Sequence, residues 1–164
     1  MARVTKGEGS KVEIMNFAHA PILLVEDNSD DVLLTRRAFR KANIANPLQV
    51  VTDGEAAVHY LSGQGGYADR ELYPLPVLIL LDLKLPRRSG HEVLDWLQQQ
   101  PELKRLLVVV LTSSKESVDI NEAYELGANS YLVKPVAFDA LLEMVKTLNQ
   151  YWFLFNEKPT VPDG

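Results

Sequence analysis

The chain has 164 residues, of which 46% are hydrophobic, and its formal net charge at pH 7 is −5. This length suits one globular domain with a sizeable core, and the lack of cysteine excludes disulfides and thiolate metal sites. The acidic balance, without a basic stripe, argues against a nucleic-acid-binding protein. Neither a secretion signal nor a membrane-spanning run is evident, so we expect a soluble, cytoplasmic protein.

The chain divides into three predicted regions. Residues 1–19 lack sustained hydrophobic periodicity, which predicts a flexible N-terminal arm. Residues 20–153 carry the regular patterns of one domain, and residues 154–164 form a predicted C-terminal tail.

Short apolar runs alternate with amphipathic segments along the domain. The apolar runs predict strands over 21–25, 48–51, 77–81, 106–111 and 130–133. The amphipathic segments predict helices over 28–43, 53–63, 90–100, 115–127 and 137–153, the first of them capped by Asn28 or Ser29. Continuous apolar runs are typical of parallel strands covered on both faces. The alternation therefore predicts an α/β fold with a doubly wound parallel sheet. The turn-rich segment 64–76 is expected to be an irregular surface loop.

Polar side chains follow four of the five predicted strands. Ligands in open α/β sheets bind beyond the carboxyl ends of the strands, so these side chains are expected to meet at one edge. They are Glu26 and Asp27 after the first strand, Asp82 after the third, Thr112 after the fourth and Lys134 after the fifth.

The chemistry of this set favours phosphoryl transfer. Three neighbouring carboxylates repel one another, and a hard cation with oxygen ligands, Mg²⁺ when phosphate is involved, relieves that repulsion. Thr112 can donate a hydrogen bond to a ligand oxygen, and Lys134 can neutralise an anion. Each residue alone has a structural explanation as a helix cap, turn residue or surface lysine, but their joint placement predicts phosphorylation of Asp82.

Four motifs resemble those of a response-regulator receiver domain. They are "LLVEDN" with Glu26 and Asp27, "LLDLKLPRRSG" with Asp82, "VLTSS" with Thr112 and "YLVKP" with Lys134. The resemblance covers roughly residues 20–152 and implies a flavodoxin-like (βα)5 fold with strand order 2-1-3-4-5.

The resemblance also implies roles for individual residues. Asp82 would accept a phosphoryl group from the phosphohistidine of a sensor histidine kinase. Asp27, Asp82 and the backbone carbonyl of Lys84 would bind Mg²⁺, with Glu26 acting through water. Lys134 would pair with the phosphoryl group, Thr112 and Tyr131 would be the switch residues, and the Lys134–Pro135 peptide would be cis.

The long loop at 64–76 and the aromatic C-terminal segment resemble the single-domain regulators that partner phytochrome histidine kinases. This narrower resemblance implies a phytochrome as the kinase and a homodimer. Aromatic residues clustered at a chain end are either folded back or buried by a partner, and we expect the latter in a twofold dimer. The candidate interface residues are Tyr151, Trp152, Phe153 and Phe155.

Two other functions are open on the sequence alone. The first is a pseudo-receiver that acts as a scaffold without phosphorylation, although such a scaffold does not need the full set of acidic, hydroxyl and ammonium groups. The second is a phosphatase with an aspartyl-phosphate intermediate. That chemistry wants a general acid two residues after the nucleophile, where this chain has Lys84. We therefore expect a phosphoacceptor rather than an enzyme with a separate substrate.

Overall fold

The computed structural model describes residues 20–151, and the predicted arm at 1–19 and tail at 154–164 lie outside them. Within these residues, five parallel strands form one sheet in the order β2-β1-β3-β4-β5, which confirms the predicted flavodoxin-like fold. The strands are β1 (Ile22–Val25), β2 (Leu48–Val51), β3 (Leu78–Leu81), β4 (Leu107–Thr112) and β5 (Ser130–Val133). The helices are α1 (Ser29–Lys41), α2 (Gly54–Ser62), α3 (Gly90–Gln98), α4 (Ser117–Glu125) and α5 (Phe138–Leu148).

The three central strands are buried along their whole length, because helices cover both faces of the sheet. On one face, Leu23 and Val25 of β1 belong to a core that also holds Ala57, Val93 and Ala123 from α2, α3 and α4. On the other face, the intervening strand residues pack with α1 and α5; they include Ile22, Leu24, Phe39, Leu141 and Val145. Successive side chains of a strand point to opposite faces, so the positions of these central strands between the two cores are apolar and polar residues come only at the strand ends.

Short side chains fix where the first three helices begin. The Asn28 side chain caps α1 by accepting a hydrogen bond from the Asp31 amide at 3.0 Å. Asp53 caps α2 through the Ala56 amide at 2.7 Å, and Ser89 caps α3 through the Glu92 amide at 3.1 Å. Each such cap satisfies an amide that has no partner within the helix.

The start of α3 lies directly behind Asp82. The Gly90 amide donates to the Leu83 carbonyl at 2.9 Å, and a Cβ atom at Gly90 would lie 2.3 Å from the Asp82 carbonyl oxygen. Only glycine permits this approach. The backbone of Asp82 is therefore held between β3 and the first turn of α3.

The loop at 64–76 is the irregular surface segment that the sequence predicts, with one 3₁₀ turn at Gly65–Tyr67 and most of its residues exposed, but its two tyrosines pack against α2. The Tyr67 and Tyr73 rings lie 5.1 and 6.0 Å from the Tyr60 ring of α2. The Arg70 guanidinium donates to the carbonyls of Tyr60 and Leu61 at 2.8 Å, in the last turn of α2. The loop thus caps the end of α2 with a cation, which favours that end of a helix.

The last helix is α-helical over Phe138–Leu148 and continues as a π-helical turn over 149–151, so only the end of the predicted span of 137–153 lies outside the described residues. Its buried stripe is formed by Leu141 and Val145, with Phe138 and Leu148 partly buried beside them. None of the helices within residues 20–151 combines the length and hydropathy that crossing a membrane requires.

Candidate functional site

The polar side chains predicted to meet at the carboxyl edge of the sheet do so. Glu26 follows β1, Asp82 follows β3, Thr112 ends β4 and Lys134 follows β5. Glu26, Asp82 and Thr112 are only 2%, 8% and 1% exposed. Two carboxylates with so little access to water need compensating charges or hydrogen bonds.

Lys134 supplies that compensation. Its Nζ lies 3.0 Å from Asp82 Oδ2 and 3.0 Å from Asp31 Oδ2, and it also contacts Glu26 Oε1. Backbone amides complete the arrangement: Leu83 N–H donates to Asp82 Oδ1 at 2.7 Å, and Asn28 N–H donates to Glu26 Oε2 at 3.2 Å. An ammonium group has three donors, and within residues 20–151 each of them has a carboxylate partner.

The two buried carboxyl groups have opposite pKa shifts. Burial raises the pKa of Glu26 to about 7, against the lowering effect of its hydrogen bond from Lys134. Burial also acts to raise the pKa of Asp82, but hydrogen bonds from Thr112 and Lys134 and the lysine charge outweigh it, so this pKa lies below its usual value. Asp82 is therefore ionised at neutral pH and is the carboxylate that can act as a nucleophile.

The ammonium group is stabilised in its charged form. Burial acts to lower the pKa of Lys134, but hydrogen bonds to Glu26 and Asp31 and the charge of Asp82 raise it above its ordinary value. Lys134 is therefore a permanent positive charge beside Asp82 across the physiological pH range.

The acidic cluster fits a divalent cation. Glu26, Asp27 and Asp82 each offer a carboxylate oxygen, and these oxygens lie within 4.8 Å of one another. Carboxylate oxygens are the ligands that hard cations such as Mg²⁺ and Mn²⁺ bind, and the exposed Asp27 gives solvent access. The ligand roles, including those of the Lys84 carbonyl and of Glu26 through water, stay predictions.

Tyr131 of β5 contacts the loop that follows Thr112 at the end of β4. Its hydroxyl donates to the Ser114 carbonyl at 2.9 Å, and partial burial raises its pKa. The ring is thus tied to the loop between β4 and α4. The switch roles of Thr112 and Tyr131 stay predictions.

The expected cis peptide between Lys134 and Pro135 is wrong for this structure, since no peptide bond within residues 20–151 is cis. The trans bond suffices: the Lys134 amide donates to the Thr112 carbonyl at 2.8 Å, while its ammonium reaches the carboxylates. The trans isomer before proline is also favoured by about 0.5–1 kcal/mol.

Asp31 is a member of the site that the sequence does not predict. Asp31 lies in the first turn of α1, where an acidic residue also has a structural explanation because it favours the helix dipole. Asp27 precedes the helix, which begins at Ser29, so helical spacing does not link Asp27 to Asp31 and the sequence carries no signal for this role. The partner of Asp31, Lys134, is 103 positions away in the chain.

The fold and the site together define a flavodoxin-like α/β domain with an acidic cluster and a lysine at its carboxyl edge. A model of the response regulator receiver domain matches residues 22–146. The chain belongs to the response regulator receiver domain family, and it is a two-component response regulator. Receiver domains bind a divalent metal, and their partners include a sensor kinase.

Two of the similar proteins are response regulators of cyanobacteria. Response regulator Rcp1 of Synechocystis is 42% identical over 141 residues, 86% of this chain and 92% of Rcp1. Its Mn²⁺-bound structure has a TM-score of 0.77 at 40% identity, over 86% of this chain and 99% of that one. Phosphorylated RcpA, a cyanobacterial phytochrome response regulator, has a TM-score of 0.80 at 37% identity, over 87% and 99%.

A further relative is named for a role in methanogenesis. The probable methanogenesis regulatory protein FilR2 of Methanothrix harundinacea is 40% identical over 139 residues, 84% of this chain and 86% of FilR2. Similarity at this level therefore extends to a relative whose name refers to methanogenesis and not to a phytochrome.

We predict that Glu26→Gln changes how stability depends on pH. In metal-free protein, the pKa of Glu26 is about 7 when folded and 4.5 as an isolated group. The folded state thus binds the proton more tightly, and the wild type loses stability as pH rises from 4.5 through 7. Urea unfolding in chelator between pH 5 and 8 should show the variant gaining about 1–3 kcal/mol relative to wild type at pH 8. The exposed Glu102→Gln is the control, and an unchanged slope in Glu26→Gln would contradict the assigned pKa.

Proposed function

We propose that Asp82 is the phosphoacceptor of this response regulator. The observation that carries the proposal is a buried, ionised carboxylate whose Oδ2 lies 3.0 Å from the ammonium of Lys134 and whose oxygens adjoin those of Glu26 and Asp27. A nucleophile, a fixed cation and a cation-binding cluster are the parts that phosphoryl transfer requires.

The reaction moves one phosphoryl group from nitrogen to oxygen. A carboxylate oxygen of Asp82 attacks the phosphorus of a phosphohistidine on the kinase. The P–O bond of an acyl phosphate forms, the P–N bond breaks, and the imidazole nitrogen leaves with the electron pair and takes a proton from solvent. Lys134 neutralises charge on the transferred group. A bound Mg²⁺, held by Asp27, Asp82 and the Lys84 carbonyl with Glu26 acting through water, would neutralise charge in the same step.

Phosphorylation would act on the surface through the loop between β4 and α4. An acyl phosphate adds negative charge and acceptor oxygens beside the Thr112 hydroxyl. We propose that Thr112 moves toward the phosphoryl group and that Tyr131, which now donates to the Ser114 carbonyl, turns inward. The equilibrium between the two arrangements would be the signal.

The donor we propose is a phytochrome histidine kinase in the cytoplasm. Similarity to the phytochrome response regulator RcpA supports this choice, whereas the comparable similarity to FilR2 does not. The test compares rates of phosphoryl transfer from purified, autophosphorylated kinases of the source organism. A faster rate from a phytochrome kinase than from the other kinases would support the assignment. A preference for a kinase without a light-sensing domain would overturn the donor and leave the acceptor standing.

We also propose a homodimer that uses the end of α5 and the aromatic residues after it. Tyr151 is 59% exposed, and Trp152, Phe153 and Phe155 lie outside the described residues. A twofold interface is the commonest arrangement among soluble homo-oligomers.

We predict that Asp82→Asn abolishes labelling by acetyl phosphate and by a phosphorylated kinase, because the amide cannot serve as the nucleophile. Asp30→Asn is the matched control: it removes one carboxylate near the site, from an exposed position, and should be labelled like wild type. The measurement is the stoichiometry of incorporated phosphate in the presence of Mg²⁺.

Three results would contradict this acceptor assignment. Stoichiometric, acid-stable labelling of Asp82→Asn would place the phosphate elsewhere. A wild-type protein that binds the kinase without being labelled would favour the scaffold function. Rapid turnover of a generic phosphate ester would favour the phosphatase.

We predict that truncation after residue 150 converts the protein to a monomer. The change removes Tyr151 and the aromatic residues that follow, while the buried Leu141 and Val145 of α5 keep their contacts with the sheet. Size-exclusion chromatography with light scattering measures the mass, and removal of residues 1–19 is the control. An unchanged oligomeric state after the C-terminal truncation would refute this interface.

A further inference from the structure

The ammonium of Lys134 has two kinds of carboxylate partner. Glu26 and Asp82 belong to the acidic cluster that fits a divalent cation. Asp31 also contacts Lys134, at 3.0 Å, but it is not a member of that cluster. Among residues 20–151, Asp31 is thus the partner of Lys134 that a cation in the cluster does not need as a ligand.

The ammonium and a cation compete for the same oxygens. A hydrogen bond from Lys134 to Glu26 or Asp82 engages a carboxylate oxygen that a metal ion would otherwise bind. The ammonium and the metal ion also repel each other because both are positively charged. A carboxylate that attracts Lys134 from outside the cluster lowers this competition. Its effect on metal binding is then indirect and depends on the presence of the lysine.

Asp31 is held rigidly enough to act in this way. Its amide donates to the Asn28 side chain at 3.0 Å, and its carbonyl accepts from the hydroxyl of the buried Thr35 at 2.7 Å. The first turn of α1 therefore fixes the backbone, and the side chain is left to reach toward Lys134. Lysine has a flexible four-carbon stem, so its ammonium can adjust to a carboxylate that the start of α1 presents.

We propose that Asp31 is a positioning residue for the metal site: it takes a share of the Lys134 ammonium's hydrogen bonds, so that Glu26 and Asp82 do not accept all of them and a divalent cation can bind these two carboxylates. This inference rests on the proposed function, because it assumes that the acidic cluster binds Mg²⁺. It concerns affinity for the metal and requires no phosphoryl transfer. Without Asp31, the three N–H groups of Lys134 are shared between the two cluster carboxylates alone.

The test is Mg²⁺ affinity measured by isothermal titration calorimetry on the full chain. Asp31→Ala is expected to weaken binding about 3- to 10-fold, the range for a charged hydrogen bond that is partly exposed. Asp30→Ala removes the same charge from the same helical turn, at an exposed position, and is expected to weaken binding less than about twofold. Thermal melts establish that each variant is folded; if Asp31→Ala is not, Asp31→Asn replaces it and is judged by the same criteria.

A double-mutant cycle with Lys134→Ala separates the indirect effect from a direct one. Lys134→Ala alone is expected to tighten Mg²⁺ binding, and in that background Asp31→Ala is expected to cost no more than Asp30→Ala. A penalty for Asp31→Ala that equals that of Asp30→Ala, or that persists without Lys134, would overturn the role of Asp31 only. A wild-type chain with no Mg²⁺ affinity would overturn both this inference and the metal in the proposed function.

Discussion

One ammonium group is shared by three carboxylates at the carboxyl edge of the sheet. Glu26 and Asp82 are buried, and ionising carboxyl groups that lie buried side by side is unfavourable unless a cation compensates their charge. Lys134 provides that cation through its contacts with Glu26, Asp31 and Asp82. The ionisation of Asp82, the access of a metal to the cluster and the readiness of the site for a phosphoryl group all depend on where this ammonium lies.

The sheet order explains why a lysine has this place. β1 and β3 are neighbours, so Glu26 and Asp82 are adjacent at their ends. β5 is two strands from β3, with β4 between them, a separation of about 10 Å. A long, flexible side chain is needed to cover that distance, and the rigid start of α1 contributes Asp31 from a third direction. Packing on both faces of the sheet keeps the backbone positions of these side chains fixed.

The sequence sufficed for the sheet and for most of the site, because both follow from local patterns. Continuous apolar runs identified the strands, and strand ends identified Glu26, Asp82, Thr112 and Lys134. What it could not reveal depends on contacts between distant segments. The pairing of Asp31 with Lys134 depends on where a helix start meets the end of β5, and the packing of the 64–76 loop depends on three tyrosines meeting at the end of α2.

The most direct test of this account is the pKa of Asp82 with and without the lysine, measured by ¹³C NMR titration of the carboxyl group in metal-free protein. Wild type should titrate below the usual aspartate range, because Lys134 and Thr112 outweigh the effect of burial. In Lys134→Met, burial acts with less opposition, and the pKa of Asp82 should rise by at least about one unit. The same low pKa in both proteins would contradict the claim that Lys134 keeps this buried carboxylate ionised.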